Sequence, residues 1–386
     1  MRVGPNLSIA ALSFGNFAVG TGAFIISGIL PMVADSLEST VFEIGQTATA
    51  FSVAFALGGP LLASPTSRFD RRTLLTAGLL LFSLAAVLGA LAPDYGVLML
   101  SRIVAGVAGS LVTPHAATTA SLLAEESGRG RAIALVLLGF AASTVFGVPL
   151  GTMVGAVFGW RAAFGVISLL ALAGAVGVRL AVPGQLNIPP IDLGGWRKVF
   201  AHRAIIFMLA VTLFQVLGQA TILTYLAILL RVESHASVAE ISALLMVFGG
   251  AGIAGTFAAS RLMDRVGAAL VANASIILMC AVMTVWPFIG GSVPGVTLLI
   301  LLWGLSSFAV NSAQQYRLIA TAPSLATASV SLNSSSSFFG QSLGALVGGA
   351  VVAFFGVATI PSIGALAMMI ALGLSLASNG SESRKA

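Results

Sequence analysis

The sequence has little charge and few of the side chains that form catalytic or metal sites in soluble enzymes. Asp, Glu, Lys and Arg make up 8% of its 386 residues, whereas soluble domains average about 25%. It has three histidines and a single cysteine, Cys280, so an internal disulfide is impossible. An enzyme would need a nucleophile–base pair or a metal cluster. We therefore expect no catalytic activity, no metal and no cofactor.

Other absences exclude further classes of protein. The sequence contains no G-x-x-x-x-G-K-[ST] loop, so ATP is not expected to drive the protein directly. The net charge of +6 is spread over many short loops rather than clustered, which argues against nucleic-acid binding. No soluble signalling domain is present that would indicate a receptor or sensor.

What is abundant is apolar sequence. Hydrophobic residues make up 58% of the chain, in many runs near twenty residues long, which is the length a helix needs to cross about 30 Å of hydrocarbon. The runs lack the alternation of a membrane β-barrel. We predict an all-α integral membrane protein whose twelve spans are 6–34, 42–64, 72–92, 96–124, 128–156, 161–182, 203–230, 238–262, 267–290, 295–321, 325–355 and 358–378.

The fifth predicted span carries a row of glycines. It reads GFAASTVFGVPLGTMVGAVFGWR, with Gly147, Gly151 and Gly155 four residues apart and therefore on one helix face. Small residues on one face let two helices approach closely in lipid, where hydrophobic burial does not drive association. Pro149 should kink this helix or open its hydrogen-bond ladder.

The glycine row returns in the eleventh span, FGQSLGALVGGAVVAFFG. Gly340, Gly344 and Gly348 have the same spacing, and Gly340 follows Gly147 by 193 residues, half the chain. A second repeat joins GGPLLASPTSRFD after span 2 to GTFAASRLMDRVG after span 8, at an offset of 197. We predict two pseudo-symmetric six-helix halves, residues 1–182 and 203–386, joined by a cytoplasmic linker at 183–202. Transporters often place a substrate site between two such repeats.

The positive charges indicate the orientation. Arg161 and Arg231 fall on one side of the predicted membrane. Cytoplasmic loops carry the excess of Lys and Arg, so both termini and the linker are expected in the cytoplasm. The positive residues on that side are Arg2, Arg68, Arg71, Arg72, Arg129, Arg131, Arg179, Arg197, Lys198, Arg203, Arg261, Arg265, Arg384 and Lys385.

Several short motifs resemble those of one family when taken in order. Its loop signature after span 2, G-x-x-x-D-R-x-G-R-R, matches Arg68, Arg71 and Arg72, although Ser67 replaces the acid and Asp70 replaces the glycine. The corresponding loop after span 8 keeps the acid–arginine pair. The other matching positions are Asp264, Arg265 and Gly267; Arg102, Gly106 and Gly109; Gly147, Pro149, Gly151 and Gly155; Gly20, Phe24, Gly28, Leu30 and Pro31; and Arg317 and Pro323.

The chain thus resembles the major facilitator superfamily, in its twelve-span drug/proton antiporter branch, close to the arabinose-efflux-permease-like members. The resemblance implies a bacterial inner-membrane transporter that exports small drug-like molecules by alternating access, coupled to protons. It also implies that Arg68, Arg71, Arg72, Asp264 and Arg265 belong to gating loops, with Glu125 or Glu126 as a partner for the first arginines. The alternatives are a sugar or metabolite efflux permease and an uncoupled facilitator. We expect a monomer in the bilayer.

The candidate coupling group is a histidine. Many relatives have a Glu where this chain has Ala23, and no Asp or Glu lies well inside a predicted span. His115 is the one histidine within a span, thirteen residues after Arg102 and on nearly the opposite helix face. It titrates near physiological pH when unperturbed. His115 is therefore either the proton-coupling group or a hydrogen-bonded packing residue.

A set of polar side chains within the spans is expected to face the protein interior, because an amide facing lipid would be unsatisfied. They either line a substrate pathway or join helices by hydrogen bonds. Arg102 either contributes to function or reaches the outer interface near Asp94. Two arginines in a neutral lining favour neutral or anionic substrates over cations. The tentative pathway residues are Asn16, Arg102, Gln215, Gln219, Asn311, Gln314, Arg317 and Asn333.

Overall fold

The computed structural model describes residues 5–66, 68–125, 129–186, 199–322 and 325–382. Within these ranges the protein is entirely helical, with no β-strand. The α-helices are α1 (Pro5–Phe24), α2 (Ile26–Ser36), α3 (Val41–Thr66), α4 (Arg71–Ala90), α5 (Tyr95–Leu123), α6 (Arg129–Ala142), α7 (Val148–Phe158), α8 (Trp160–Ala181), α9 (Arg203–Leu223), α10 (Leu226–Glu233), α11 (Val238–Val266), α12 (Ala268–Ile289), α13 (Val293–Thr321), α14 (Ala326–Phe355) and α15 (Ile360–Glu382).

Twelve helical segments of the described chain are long and apolar enough to cross a membrane. The predicted all-α fold with twelve spans is therefore confirmed. Three of the predicted spans comprise two α-helices each. The first combines α1 and α2, which meet at Ile25, and the seventh combines α9 and α10. The fifth combines α6 and α7 through a π-helical turn, Ser143–Gly147.

The π-helical turn lies immediately before Pro149, the second residue of α7. A proline has no N–H to donate, and its ring collides with the carbonyl oxygen four residues earlier, which here belongs to Val145. Widening the turn moves that carbonyl away from the ring, and such single-turn bulges are the usual form of π-helix. The hydrogen-bond ladder of span 5 is thus opened beside its glycine row.

Polar caps and glycines define several helix ends. The carboxylates of Asp70 and Asp94 accept hydrogen bonds from the first turns of α4 and α5, which satisfies backbone donors that a helix start leaves free. Three junctions between consecutive helices use glycine at positive φ, near 85°, which other residues rarely adopt. These are Gly159, Gly267 and Gly356.

The chain divides into two units, Met1–Ile191 and Asp192–Ala386. The order of packing is the same in each. In the first unit α1 packs on α6 and α8, α3 packs on α5, and α4 packs on α5 and α8. In the second unit α9 packs on α14 and α15, α11 packs on α13, and α12 packs on α13 and α15. Each unit therefore repeats the same arrangement of six spans.

The glycine row of the first unit lies against α1 and α2. A Cβ atom at Gly147 would overlap Thr21, and one at Gly151 would overlap Ile25. Gly155 continues the row one turn further. The side chains of Thr21, Ile25 and Ile29 thus occupy the space that the missing side chains of span 5 leave, a close packing that small residues allow in membrane helices.

The glycine row of the second unit lies against the backbone of α9. A Cβ atom at Gly340 would overlap the backbone of Leu213, and one at Gly344 would overlap the backbone of Leu217. At Gly348 it would lie 2.7 Å from a backbone oxygen of α9. Both rows therefore serve the contact between the first and fifth spans of their own unit.

Candidate functional site

Arg102 is buried in the first unit, with 2% of its surface exposed. Its Nη1 donates to the carbonyl oxygen of Gly22 at 2.7 Å and its Nη2 to that of Ala23 at 3.2 Å. The ring of Phe51 lies 4.5 Å from the guanidinium carbon. Both carbonyls precede the junction of α1 and α2 at Ile25. Arg102 therefore joins α5 to α1 beside a helix break, and the alternative that it reaches the interface is wrong.

A small cavity adjoins Arg102. Its volume is about 10 Å³, and its lining includes Gly22, Phe82, Ser101 and Phe164. The Nε of Arg102 has no hydrogen-bond partner within the described residues. A volume of this size holds about one water molecule. The cavity is too small for a drug-sized substrate, so it is not a ligand pocket.

Asparagine joins the first and fifth spans in both units. The Nδ2 of Asn16 donates to the carbonyl oxygen of Val136 at 3.1 Å, and its Oδ1 accepts from the hydroxyl of Thr113 at 2.7 Å. In the second unit the hydroxyl of Thr212 donates to Oδ1 of Asn333 at 2.7 Å. These bonds give both asparagines a structural role in holding helices together.

Arg317 lies in a buried polar network of the second unit. Its Nη1 donates to Oε1 of Gln314 at 2.8 Å and to the hydroxyl of Ser375 at 3.0 Å, and its Nη2 donates to the hydroxyl of Ser378 at 2.7 Å. Gln314 in turn donates to the carbonyl oxygen of Met208 at 3.2 Å. The network connects α13 with α9 and α15, and these partners of Arg317 are all neutral.

Two of the predicted pathway residues, Gln215 and Asn311, have side-chain amides without hydrogen-bond partners among the described residues, whereas Gln219 is paired. Gln219 accepts a hydrogen bond from the hydroxyl of Ser307. Gln215, one turn earlier on α9, is fully buried, and neither its Oε1 nor its Nε2 has a partner in the described part of the chain. Asn311 on α13 is half-buried, and its side chain makes no hydrogen bond to a described residue. Since buried amides are normally paired, Gln215 is exceptional.

His115 contacts Arg71, the first residue of α4. The Nη1 of Arg71 lies 2.9 Å from Nδ1 of His115, and Arg71 is 3% exposed. A guanidinium can only donate, so Nδ1 is the acceptor and the ring proton of His115 lies on Nε2. As the helical spacing predicted, His115 and Arg102 leave α5 in different directions, toward α4 and toward α1.

The pairing of Arg71 with His115 was missed by the sequence analysis. Arg71 begins α4, and His115 lies two turns before the end of the antiparallel neighbour α5, so the two lie at a similar depth. The sequence carries that signal, but the expected partner of Arg71 was an acid, Glu125 or Glu126. Glu125 is exposed and makes no hydrogen bond or ion pair with the described residues, and Glu126 lies outside them.

The other predicted gating residues lie at helix ends. Arg68 is exposed and Arg72 is half-buried at the start of α4. Asp264 and Arg265 are exposed in the last turn of α11. In the first loop Ser67 stands where the family signature has an acid, whereas the second loop keeps the acid. Ser67 lies outside the described residues.

Asp70 is a site residue that the sequence analysis noted only as a departure from glycine. Its Oδ2 accepts from the backbone N–H of Thr73 at 3.2 Å, and its Oδ1 accepts from the N–H of Leu186 at 2.9 Å. Burial by itself would raise the pKa of the Asp70 carboxyl, but the hydrogen bonds from Leu186, Thr73 and Gln185 together lower it below the ordinary value. Asp70 is therefore a stabilised carboxylate.

The sequence model of the Major Facilitator Superfamily matches residues 12–345. The chain belongs to this family. Major facilitator proteins are transporters, so the buried polar side chains described above lie in the helices of a bacterial-type multi-pass membrane transporter.

Individual major facilitator relatives match over most of their length. The MFS-type transporter YbcL of Bacillus subtilis (strain 168) is 32% identical over 98% of this chain and 97% of its own. The inner membrane transport protein YdhP of Escherichia coli (strain K12) is 30% identical over 95% and 94%. A chloramphenicol resistance protein of Streptomyces lividans is 30% identical over 83% of both chains.

Solved structures of the family share the fold. The inward-facing, unoccupied structure of a bacterial homolog of the human lysosomal transporter Spinster superposes with a TM-score of 0.76. The match covers 97% of both chains at 15% sequence identity. At that identity the likeness shows the major facilitator fold and carries no information on the substrate.

Proposed function

We propose that this major facilitator protein is a secondary active transporter that exports small drug-like organic molecules by alternating access in exchange for protons. The observation that carries the proposal is its similarity to a chloramphenicol resistance protein over 83% of both chains. A membrane transporter confers resistance to an internal toxin most directly by export. The drug/proton antiporter resemblance of the sequence motifs supports the same function.

Neutral polar molecules are the proposed substrates. Gln215 and Asn311 are the predicted pathway residues without partners among the described residues, and each amide offers both a donor and an acceptor. Arg102 and Arg317 instead bond to backbone, hydroxyl and amide oxygens within their own units. Their role is to hold helices, so they do not favour anionic substrates. Gln215 and Asn311 therefore form the proposed substrate contact.

His115 is the proposed proton-coupling group. No acid is buried in the described part of the chain, and its buried charged side chains are Arg71, Arg102 and Arg317. Arginine is not deprotonated in proteins, so His115 remains as the intramembrane group that can exchange a proton. A proton on Nδ1 would remove the hydrogen bond from Arg71 and bring two cations into contact. Proton uptake at His115 thus requires Arg71 to move.

One observation favours an uncoupled facilitator or a sugar or metabolite permease as the second candidate. Relatives with an acid in span 1 carry it where this chain has Ala23, and here the carbonyl oxygen of Ala23 is bonded to Arg102. A carrier with no acid in this region lacks the usual proton-coupling group, so transport without protons is the alternative to coupling at His115. The proposed orientation, with both termini cytoplasmic in the bacterial inner membrane, rests on the distribution of Lys and Arg. The proposed working unit is a monomer.

A resistance screen tests the proposed export. The protein is expressed in a bacterial strain that lacks its own major exporters, and growth is measured against a panel of neutral and charged antibiotics that includes chloramphenicol. We expect a higher inhibitory concentration for chloramphenicol or another neutral compound. The control is Gln215→Leu, expressed at the same membrane level, which should lose most of the gain. No gain for any compound would contradict drug export.

A further inference from the structure

Residues 184–186, which follow α8, lie against the start of α4. The N–H of Leu186 donates to Oδ1 of Asp70 at 2.9 Å, and its carbonyl oxygen accepts from the N–H of Arg71 at 3.1 Å. The backbone N–H of Leu186 is thus bonded to Asp70 and its carbonyl oxygen to Arg71, the next residue. A two-bond contact of this kind fixes the register of the segment, which we call the 184–186 strap.

The carboxylate of Asp70 has two separate roles, one for each oxygen. Oδ2 caps α4 by accepting from the N–H and the hydroxyl of Thr73 at 3.2 Å, while Oδ1 holds Leu186. A serine could cap a helix equally well but has a single, shorter-reaching oxygen. The glycine of the family signature could make neither bond through a side chain. Asp70 therefore gives this chain a connection that the signature residue cannot.

The strap has a backbone conformation that depends on one residue. Gln185 has φ 65°, in the left-handed region, and its side chain is exposed. Glycine adopts this region freely, whereas a β-branched residue is a strong outlier there. Beside it, a Cβ atom on Gly184 would lie 2.8 Å from Nη2 of Arg72, so that guanidinium rests on the strap backbone. The docking can thus be strengthened or weakened at Gln185 without touching α4.

Arg71 connects the strap to the membrane interior. Its backbone N–H donates to the strap, and its buried side chain donates to Nδ1 of His115 at 2.9 Å. A displacement of the first turn of α4 would therefore move the guanidinium away from the histidine.

We propose that Asp70 is a positioning residue for proton exchange: by docking the 184–186 strap onto the first turn of α4, it holds the Arg71 guanidinium against His115. When the strap is docked, Nδ1 of His115 is occupied and a cation lies beside it. When the strap is released, Arg71 withdraws and the ring accepts a proton more readily. This inference rests on the proposed role of His115 in coupling.

Among the charged groups around His115, Arg71 is the dominant neighbour because it contacts the imidazole. α5 packs against α1, α3, α4 and α6, and Arg71 is the charged residue of these helices that contacts the imidazole. α1 has no charged residue in its described range. The remaining charged residues of the packed helices and of α5 are Glu43 on α3, Arg72 on α4, Arg129 and Arg131 on α6, and Arg102 on α5.

The test measures the protonation of His115 directly. The full-length protein is labelled with [15N]histidine in lipid nanodiscs and titrated by NMR, and the His115 signal is assigned by its loss in His115→Ala. Asp70→Ser keeps the helix cap but removes the side-chain bond to Leu186, so that only the backbone bond from Arg71 holds the strap. Gln185→Val opposes the left-handed conformation, and Gln185→Gly is its matched control. Hydrogen exchange at the amide of Leu186 reports whether the strap is docked.

In the unsubstituted protein we expect neutral His115 with its proton on Nε2. Asp70→Ser and Gln185→Val should speed exchange at Leu186 and move the His115 titration midpoint upward by at least about half a pH unit, a fraction of the shift that a full neighbouring charge causes. Gln185→Gly should leave the exchange rate at Leu186 and the His115 titration midpoint unchanged. An unchanged midpoint despite faster exchange would overturn the proposal, and so would full protection of Leu186 in Asp70→Ser.

This readout does not depend on transport. If protons do not drive the transporter, the upward shift of the His115 titration midpoint in Asp70→Ser persists, while substrate transport does not respond to the pH gradient. If the proposed strap is wrong, proton-driven transport persists while the midpoint stays fixed. The two failures are therefore distinguishable.

Discussion

At the scale of single residues, most polar side chains inside the spans have partners that explain them. Asn16, Gln219 and Asn333 each bridge two helices of their own unit, as interhelical hydrogen bonds do in membranes. Gln215 differs because its amide is fully buried and unpaired in the described structure. An unpaired buried amide costs stability, so its retention in the core indicates a role in function.

Gln215→Leu should therefore stabilise the protein while impairing transport. Removing an unsatisfied amide of this kind relieves about 1–3 kcal/mol, so the unfolding midpoint in detergent should rise. Substrate transport should fall about tenfold in kcat/KM, which corresponds to about 1.4 kcal/mol. The matched control is Gln219→Leu, which leaves the hydroxyl of Ser307 without its acceptor and should lower the midpoint. Undiminished transport in Gln215→Leu would remove it from the proposed substrate contact.

At the scale of helices, the two glycine rows set the distance between the first and fifth spans of each unit. In an exposed helix interior, Gly→Ala stabilises by about 1 kcal/mol because alanine loses less backbone entropy. Gly344 has the backbone of Leu217 and the side chain of Ala220 where its Cβ would lie. The packing clash there opposes the gain in helix propensity.

Gly344→Ala should consequently destabilise the protein, by about 1–3 kcal/mol as overpacked cores do. Gly250, in α11, has no atom within 4 Å of a Cβ position and provides the control, since Gly250→Ala should be neutral or stabilising. Thermal unfolding in detergent measures both. A higher midpoint for Gly344→Ala than for the unsubstituted protein would mean that α14 is not packed on α9 at backbone distance.

The sequence predicted the helices better than their contacts. The twelve spans and the repeat follow from apolar runs and glycine spacing, which are local signals. The break at Ile25 was not predicted, although Gly22, Gly28 and Pro31 lie close to it; the bonds from Arg102 to Gly22 and Ala23 beside it come from another helix. The contacts of Arg71 with His115 and of Asp70 with Leu186 join residues 44 and 116 positions apart. Spacing within one helix does not identify such pairs, and only the similar depth of Arg71 and His115 in neighbouring helices indicates the first of them.

At the scale of the whole molecule, the charge distribution makes a prediction about orientation. Reporter fusions at residues 190 and 384 should report the cytoplasm, and fusions at residues 37, 94 and 235 the opposite side, because Lys and Arg concentrate on the cytoplasmic side. Activity of alkaline phosphatase and fluorescence of a cytoplasmic reporter distinguish the two. An external signal at residue 190 would contradict both the orientation and the cytoplasmic linker.

The whole molecule also joins the two proposals, substrate export and proton exchange at His115. In the proposed mechanism the substrate contact lies on α9 and α13 of the second unit, whereas the proton is exchanged on α5 of the first. Coupling between them requires a change of the whole molecule between access states, as inverted or repeated halves provide in secondary transporters.

The most direct test of the account is proton-driven transport in inverted membrane vesicles. A pH gradient, acidic inside, is imposed, and uptake of a radiolabelled compound identified in the resistance screen is followed with and without a protonophore. The account predicts uptake above equilibrium that the protonophore abolishes and that His115→Ala loses, while downhill substrate exchange survives in that variant. Two results would contradict the account. One is uptake that reaches only equilibrium and does not respond to the protonophore. The other is concentrative uptake that is not reduced in His115→Ala.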